Sequence, residues 1–437
     1  MSLTFPGGIH PPKNKDLTRD KAIKTIPFPP KVIIPLIQHI GAPANVCVKV
    51  GDEVKTGQVV GEANGFVSVP VHASISGKVV EIANKPHPVK GECMSVIIES
   101  DGEDNWIERH VSGNGWEDFP IDKIKNKIKD AGICGMGGAT FPTHVKLSPP
   151  KEKKIDTIII NGAECEPYLS ADHRVMLEDV NSVIMGLKII MKVLGAKKAY
   201  IGIEDDKEDA LSIMHSAVVR ESNMEVVALK AKYPQGAEKQ LIKVILNREV
   251  PSGGLPMDVG VIVHNVGTAV AIANAIVNGQ PLIDRVVCVS GEGIARSANL
   301  KVRIGTLFSD VINECGGFRG DVAKIINGGP MMGLAQYTTE VPVIKGTSGI
   351  LILSTDEVKV ESANVCIRCG MCLEACPMYL VPSKLGSLIE NNCIKEAKEE
   401  GVLDCVECGS CAYTCPSKRP LIHYIKYAKL QISKEKK

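Results

Sequence analysis

Between residues 31 and about 100, apolar and polar positions alternate in short runs cut by turn residues. Val48-Lys49-Val50 precedes Gly51-Asp52, Val59-Val60 follows, and Ser76-Gly77 precedes Lys78-Val79-Val80. A period of two broken by glycine predicts short strands in a sandwich or barrel. From residue 120 to about 275 the period changes. A helical stretch over 121–131 leads to a continuous apolar run over 157–160. A helical stripe at Val183, Ile184, Leu187, Ile190, Met191 and Leu194 is followed by a second apolar run over 199–203. Strands alternating with helices of this length predict a mainly parallel sheet covered on both faces, with ligands at the carboxyl ends of its strands. Over 285–350 the runs shorten again: a strand at 286–290, a helix opened by Gly305-Thr306-Leu307 and a strand at 324–327 predict a small sheet with one helix. After Asp356, residues 377–404 carry Leu385, Ile389, Ile394 and Ala397 at helical spacing. Residues 1–30, rich in proline, glycine and lysine, read as an irregular arm strapped over a neighbouring domain. At the other end, Lys434-Glu435-Lys436-Lys437 reads as a frayed basic tail.

Composition narrows the class. A chain of 437 residues exceeds what one core serves, so several domains are expected. With 51 basic against 50 acidic side chains there is no bulk field to draw nucleic acid or an anionic membrane, and 4% aromatics argue against a base-stacking surface. No run of about eighteen uncharged apolar residues exists, because Lys188 and Lys192 interrupt the best candidate, so no membrane span is expected. Fifteen cysteines without an apolar signal core point to a reducing, cytoplasmic setting rather than to disulfides.

Eight of those cysteines repeat one pattern. Cys366-x2-Cys369-x2-Cys372-x3-Cys376-Pro377 recurs as Cys405-x2-Cys408-x2-Cys411-x3-Cys415-Pro416. Three thiolates two residues apart wrap one face of an iron–sulfur cube, and the fourth, offset before proline, serves the partner cube. The spacing therefore assigns Cys366, Cys369, Cys372 and Cys415 to one [4Fe–4S] cluster, and Cys376, Cys405, Cys408 and Cys411 to the other. Zinc also takes four thiolates in Cys-x2-Cys pairs, but it does not call for the offset Cys-Pro. The other seven cysteines, Cys47, Cys93, Cys134, Cys165, Cys288, Cys315 and Cys393, read as small apolar residues.

A second candidate is the glycine run Gly135-x-Gly137-Gly138. Successive unshielded N–H groups make an anion nest, and Lys146 adds a positive charge, although glycine clusters are more often plain turns. The longer string Gly135-x-Gly137-Gly138-Ala139-x-Phe141-Pro142-Thr143-x-x-Lys146 resembles the FMN loop of the NADH-binding flavoprotein subunit of respiratory complex I. The likeness continues through Asn161-x-x-Glu164-x-Glu166-Pro167, Tyr233-x-x-Gly236-x-Glu238 and Asn265-Val266-x-Thr268. Val289-Ser290-Gly291 and Gly305-Thr306 resemble the opening of that family's soluble-ligand-binding β-grasp domain. The resemblance implies FMN held by Gly135, Gly137, Gly138, Lys146, Asn161, Asn265 and Thr268, with Tyr233 at the flavin. It also implies a nicotinamide site lined by Phe141, Glu164, Glu166 and Glu238. Ala163, Ala237 and His264 depart from the family pattern, and the two alanines thin the carboxylates around the dinucleotide; His264 itself reads as a flavin ring partner or a satisfied strand histidine.

Upstream, the stretch 48–59 with 73–79 resembles the biotinyl/lipoyl barrel-sandwich hybrid. Those carriers display a modifiable lysine on a hairpin that here reads Glu62-Ala63-Asn64-Gly65-Phe66, so a structural or docking module is expected instead. The whole order, opening on Phe5-Pro6-Gly7-Gly8-Ile9-His10-Pro11-Pro12, resembles the family of C subunits of Rnf-type electron-transport complexes. It implies a multidomain α/β chain: an arm (1–30), a barrel-sandwich hybrid (31–115), an α/β FMN/NADH-binding domain (116–280), a β-grasp domain (281–355) and a mostly helical two-[4Fe–4S] ferredoxin domain (356–437). FMN, NAD(H) and two [4Fe–4S] clusters are the implied cofactors. Integral-membrane and ferredoxin-like subunits are the implied partners, with the chain peripheral on the cytoplasmic side of the cell membrane and ion translocation carried out elsewhere. A soluble NADH dehydrogenase or hydrogenase diaphorase subunit, and an electron-relay adaptor with a vestigial nucleotide pocket, are the rival readings.

Overall fold

The computed structural model describes residues 2–358 and 361–435. The alternating segment forms two antiparallel sheets. One runs Lys31–Pro35, Gly91–Ser100, Gly77–His87, Glu53–Val54, and the other Asn45–Val46, Val59–Glu62, Val71–His72. Inward positions such as Val32, Ile34, Val60, Val79, Val96 and Ile98 make their common core. Two of the strands are 11 and 10 residues long, longer than the sequence pattern suggests. Past a bulge between Val79 and Glu81 the ribbon leaves the core half-exposed, so its side chains lose their alternation.

The central domain is a four-stranded parallel sheet in the order Met224–Leu229, Lys198–Glu204, Thr157–Asn161, Val261–Asn265. Burial on both faces explains the unbroken apolar run of its third strand. Ile158 and Ile160 pack with the helices Val180–Leu194 and Val266–Val277, while Ile159 packs with the helix Glu238–Leu246. Each such isoleucine contributes about 1.5–3 kcal/mol by leaving water. The chain starts in Thr157–Asn161, moves outward through two strands, then returns to the opposite side as Val261–Asn265. The strand order therefore reverses between these two neighbours, and their carboxyl ends are where open parallel sheets of this kind bind ligands in a crevice.

A six-stranded sheet, Ile23–Thr25, Ala298–Arg303, Asp284–Ser290, Gly349–Ser354, Val322–Asn327 and Leu334–Gln336, packs on the helix Phe308–Glu314. Its first strand comes from the arm, paired parallel with Ala298–Arg303. The arm straps more than one neighbour. The Leu3 N–H donates to Ala228 of the central domain, Ile9 pairs with Tyr233, the Gly8 N–H donates to Ala375 of the cysteine module, and residues 23–25 complete the six-stranded sheet.

The cysteine module is built from helices Met371–Glu374, Pro382–Glu390, Ile394–Glu399, Ser410–Tyr413 and Leu421–Lys434 around Leu385, Ile389, Ala397, Ile425 and Ile432. The spacer is two helices rather than one, broken at Asn392, whose φ is +56°. The last helix carries Lys434, so the tail is not frayed there; Lys436 and Lys437 lie outside the described residues. Among the described residues no helix is long and apolar enough to cross a membrane.

Candidate functional site

Parallel register sets Asn265 directly beside Asn161 at the crevice. Asn265 caps the helix Val266–Val277: its Oδ1 accepts the Gly267 N–H at 2.8 Å, and its Nδ2 donates to Asp172 at 2.6 Å. Asn161 accepts from the Ala163 N–H at 3.0 Å and donates to the Gly236 carbonyl at 2.8 Å.

The glycine loop lies across this helix end. Thr268 is fully buried and its Oγ1 accepts the Met136 N–H at 3.0 Å; the Gly135 N–H closes the loop on the Phe141 carbonyl at 2.9 Å. Two glycines are needed for different reasons. A Cβ on Gly137 would stand 2.9 Å from the Asn265 side chain, whereas Gly138 has φ +146°, which side chains rarely adopt, and faces open space. Gly135 meets neither constraint. The N–H groups of residues 137–140 make no hydrogen bond among the described residues. Unused donors beside the positive end of a helix fit a phosphate. Lys146, on the short helix Thr143–Lys146, makes a 2.8 Å ion pair with Glu238, joining an expected FMN residue to an expected NADH residue.

The remaining expected site residues fare differently. Glu164 is buried and caps the helix Ala171–Glu178 through the N–H groups of Asp172 and His173. Glu166 turns to the six-stranded domain, where it accepts the N–H groups of Met331 (3.0 Å) and Met332 (2.9 Å). Both carboxylates are thus engaged by backbone donors instead of standing free for a nicotinamide. Tyr233, expected at the flavin, is 2% exposed and donates its hydroxyl to the Cys408 carbonyl at 2.7 Å, which turns it toward the cysteine module. Phe141 is half-buried at the end of the glycine loop. His264 is not a satisfied strand histidine: it is buried, its Nε2 has no partner, and burial beside Lys146 holds its pKa well below the usual histidine value.

Sequence reasoning missed Asp172. Burial, with Glu164 next to it, raises the Asp172 carboxyl to about 7 against the pull of Asn265. Its one sequence signal is an acid in the first turn of the helix that follows the Asn161–Pro167 turn.

The two cysteine motifs repeat in three dimensions, 39 residues apart (405 minus 366). Positive φ recurs at Arg368 and Glu407, at Gly370 and Gly409, and at Tyr379 and Lys418. Cys376, Cys405, Cys408 and Cys411 line one apolar cavity with Pro377, Met378 and Ile425. The offset cysteine of the first motif thereby joins the triplet of the second. In the other set Cys372 is buried, Cys366 and Cys415 are half-buried and Cys369 is exposed; the Asn364 N–H, donating to Ser417 at 2.8 Å, brings the start of the first motif beside the end of the second. Among the described residues no three His, Cys, Asp or Glu side chains converge on a single-ion position.

Four families cover most of the chain. Residues 3–103 match the RnfC barrel sandwich hybrid domain, 128–274 the Nuo51 FMN-binding domain, 286–335 the SLBB domain and 362–419 the 4Fe-4S dicluster domain. The chain is 52% identical over 430 residues to the C subunit of the proton-translocating ferredoxin:NAD(+) oxidoreductase complex of Clostridium ljungdahlii, covering 98% of this chain and 94% of that protein. It is 50% identical to the C subunit of the Na(+)-translocating ferredoxin:NAD(+) oxidoreductase complex of Acetobacterium woodii, covering 98% and 97%. It is 42% identical to the C subunit of an ion-translocating oxidoreductase complex of Rhodobacter capsulatus, covering 99% and 84%. Among solved structures, an air-oxidised NAD+-reducing [NiFe]-hydrogenase aligns with TM-score 0.50 and 19% identity over 68% of this chain and 59% of that one. The H2-reduced form gives 0.51 and 16% over 75% and 68%. At such identities the likeness is one of fold alone.

Proposed function

The chain belongs to the family of C subunits of ion-translocating ferredoxin:NAD(+) oxidoreductase complexes, and from that membership we propose that it passes electrons between NAD(H), FMN and two [4Fe–4S] clusters. It acts as a peripheral subunit on the cytoplasmic side of a membrane complex whose integral-membrane and ferredoxin-like subunits move the ion. The work divides along the chain: a docking barrel-sandwich module over 31–115, the flavin domain over 116–280, a β-grasp domain over 281–355 and the ferredoxin module from 356 onward.

The observation that carries the reading is the set of unbonded N–H groups in the glycine loop, which lies against Asn265 beside Asn161 at the strand ends. Gly135, Gly137 and Gly138 give a phosphate access to backbone donors, and Thr268 fixes the loop by holding the Met136 N–H. Lys146 turns from Glu238 to share that phosphate, which frees the Glu238 carboxylate to meet a dinucleotide entering past Phe141. Asn161 and Asn265, side by side in the strand register, present their amides to the bound flavin. When bound, the flavin accepts a hydride as two electrons and passes them on singly, a conversion that neither nicotinamide nor a cube performs alone. Cys366, Cys369, Cys372 and Cys415 hold one cube; Cys376, Cys405, Cys408 and Cys411 hold the other.

The face around the first set suits an electron-carrying partner. Val365 is 82% and Ile367 64% exposed beside Cys366, with Met371 and Tyr413 exposed nearby, an apolar patch that a docked subunit would cover.

The decisive experiment is EPR of the purified protein reduced by NADH or by dithionite, with iron and acid-released flavin quantified. NADH should reduce both cubes only when FMN is present. The engagement of Glu164 and Glu166 by backbone donors favours a second reading, a relay adaptor with a vestigial nucleotide site. In that case dithionite reduces the cubes, whereas NADH with saturating FMN does not.

A further inference from the structure

The cavity of Cys376, Cys405, Cys408 and Cys411 is gripped from outside its own module. The Tyr233 hydroxyl donates to the Cys408 carbonyl at 2.7 Å, and the Gly8 N–H donates to the carbonyl of Ala375, next to Cys376, at 3.0 Å. Tyr233 is itself fixed on both sides, since its N–H and carbonyl pair with Ile9 of the arm at 3.0 and 2.8 Å. Three residues on, the Gly236 carbonyl accepts the amide of Asn161 at 2.8 Å, and the Gly236 N–H points to Cys165 Sγ at 3.3 Å. Around the tyrosine ring Ile9, Ala375, Cys408, Met331 and Val406 close an apolar seam. One short loop, 233–236, therefore joins the crevice asparagine to the ligand loop of this cavity. Among the described residues, the loop of the other set over 366–372 makes no hydrogen bond to the central domain.

We propose that Tyr233 couples the flavin cleft to the cube of Cys376, Cys405, Cys408 and Cys411, making that cube the immediate redox partner of the flavin, and that its hydroxyl raises the potential of that cube. The inference rests on the flavin-and-cube reading above. Reduction adds one negative charge to a cube. A buried O–H dipole with its positive end toward a ligand residue favours the reduced form, as hydrogen bonding around a cluster does generally. Each transfer oxidises the flavin by one electron and reduces the cube by one; two transfers per hydride release one proton to water. Tyr233 is a positioning residue in this scheme, touching neither nicotinamide nor iron.

The test is an EPR-monitored redox titration of the full-length holoprotein and its Tyr233→Phe variant. Iron and FMN contents should match the wild type. The reduction equilibrium of one cube should fall several-fold and at most about tenfold, which is about 59 mV for one electron. That cube should be the one altered by Cys405→Ser, and the other should stay unmoved. In wild-type samples frozen shortly after mixing with NADH, the same cube should be reduced first. The inference is overturned if neither potential moves, if both move or only the other cube moves, or if the other cube is reduced first. A tenfold loss of FMN affinity with both potentials unchanged would return Tyr233 to the flavin. If the variant does not assemble, the order of reduction in the wild type decides alone. A wild-type protein lacking FMN or two cubes' worth of iron would sink the underlying reading, and this inference with it.

Discussion

At the scale of single residues, the crevice is a set of charges that hold one another in check. Lys146 and Glu238 neutralise each other at 2.8 Å. On the proposed phosphate role of Lys146, Lys146→Ala removes a charge-assisted bond worth about 1.5–3 kcal/mol, so FMN affinity should fall roughly ten- to hundred-fold while the [4Fe–4S] signals under dithionite persist. Fluorimetric titration with FMN checks this, and an unchanged Kd would remove the phosphate role. Glu166 predicts a pH dependence. Burial pushes its carboxyl from 4.5 up to about 7, against the N–H groups of Met331 and Met332. Between those values the folded protein holds a proton that the unfolded chain has released, so this group makes stability fall as pH rises from about 4.5 to 7 and has a constant effect on either side. In Glu166→Gln the titration is gone. The stability difference, variant minus wild type, should climb through that window by at most about 3 kcal/mol and stay flat outside it; thermal unfolding at stepped pH measures it, and a pH-independent difference refutes it.

At the scale of elements, the hairpin at 62–66 has exchanged one job for another. Where lipoyl and biotinyl carriers present a lysine, Phe66 sets its ring edge-on to His144 with centroids 5.8 Å apart and receives the His144 Nε2 on its carbonyl at 2.9 Å. Because His144 lies in the helix Thr143–Lys146, the barrel-sandwich module braces the element that carries Lys146. The hairpin should therefore never be acylated. Intact-mass measurement on protein from its native host should show no lipoyl- or biotinyl-sized adduct within residues 31–100, and finding one would end the docking interpretation. The spacer between the cysteine motifs is likewise an element with a geometric task. Two helices broken at Asn392 return the chain so that the triplets face each other, with the helices Met371–Glu374 and Ser410–Tyr413 in contact.

At the scale of the molecule, the proposed ligand exchange between motifs would make the cysteine module a single unit. Since Cys376 lines the cavity of Cys405, Cys408 and Cys411, Cys376→Ser should perturb chiefly the EPR signal of that cube. Selective loss of the other signal would show that each motif fills its own site. The arm has the same unifying effect across domains: within 25 residues it touches the central domain, the cysteine module and the six-stranded sheet.

The cluster motifs and the kinds of module were legible in the chain because both are written locally. A cluster motif spans eleven residues, and strand or helix periodicity needs only a few more. The glycine loop stood out for the same reason, since missing side chains at 135, 137 and 138 can be read from the chain, whereas the φ of +146° at Gly138 comes from the fold. What only tertiary structure decided is how each polar side chain is used. Glu164, Glu166 and Tyr233 sit in strings that resemble a nucleotide site, yet Glu166 meets Met331 and Tyr233 meets Cys408 across separations of 165 and 175 residues. Asp172 became a crevice residue through Asn265, 93 residues away. A buried carboxylate or phenol must take whatever partner the packed domains bring to it, and no local pattern of the chain encodes which domain that will be.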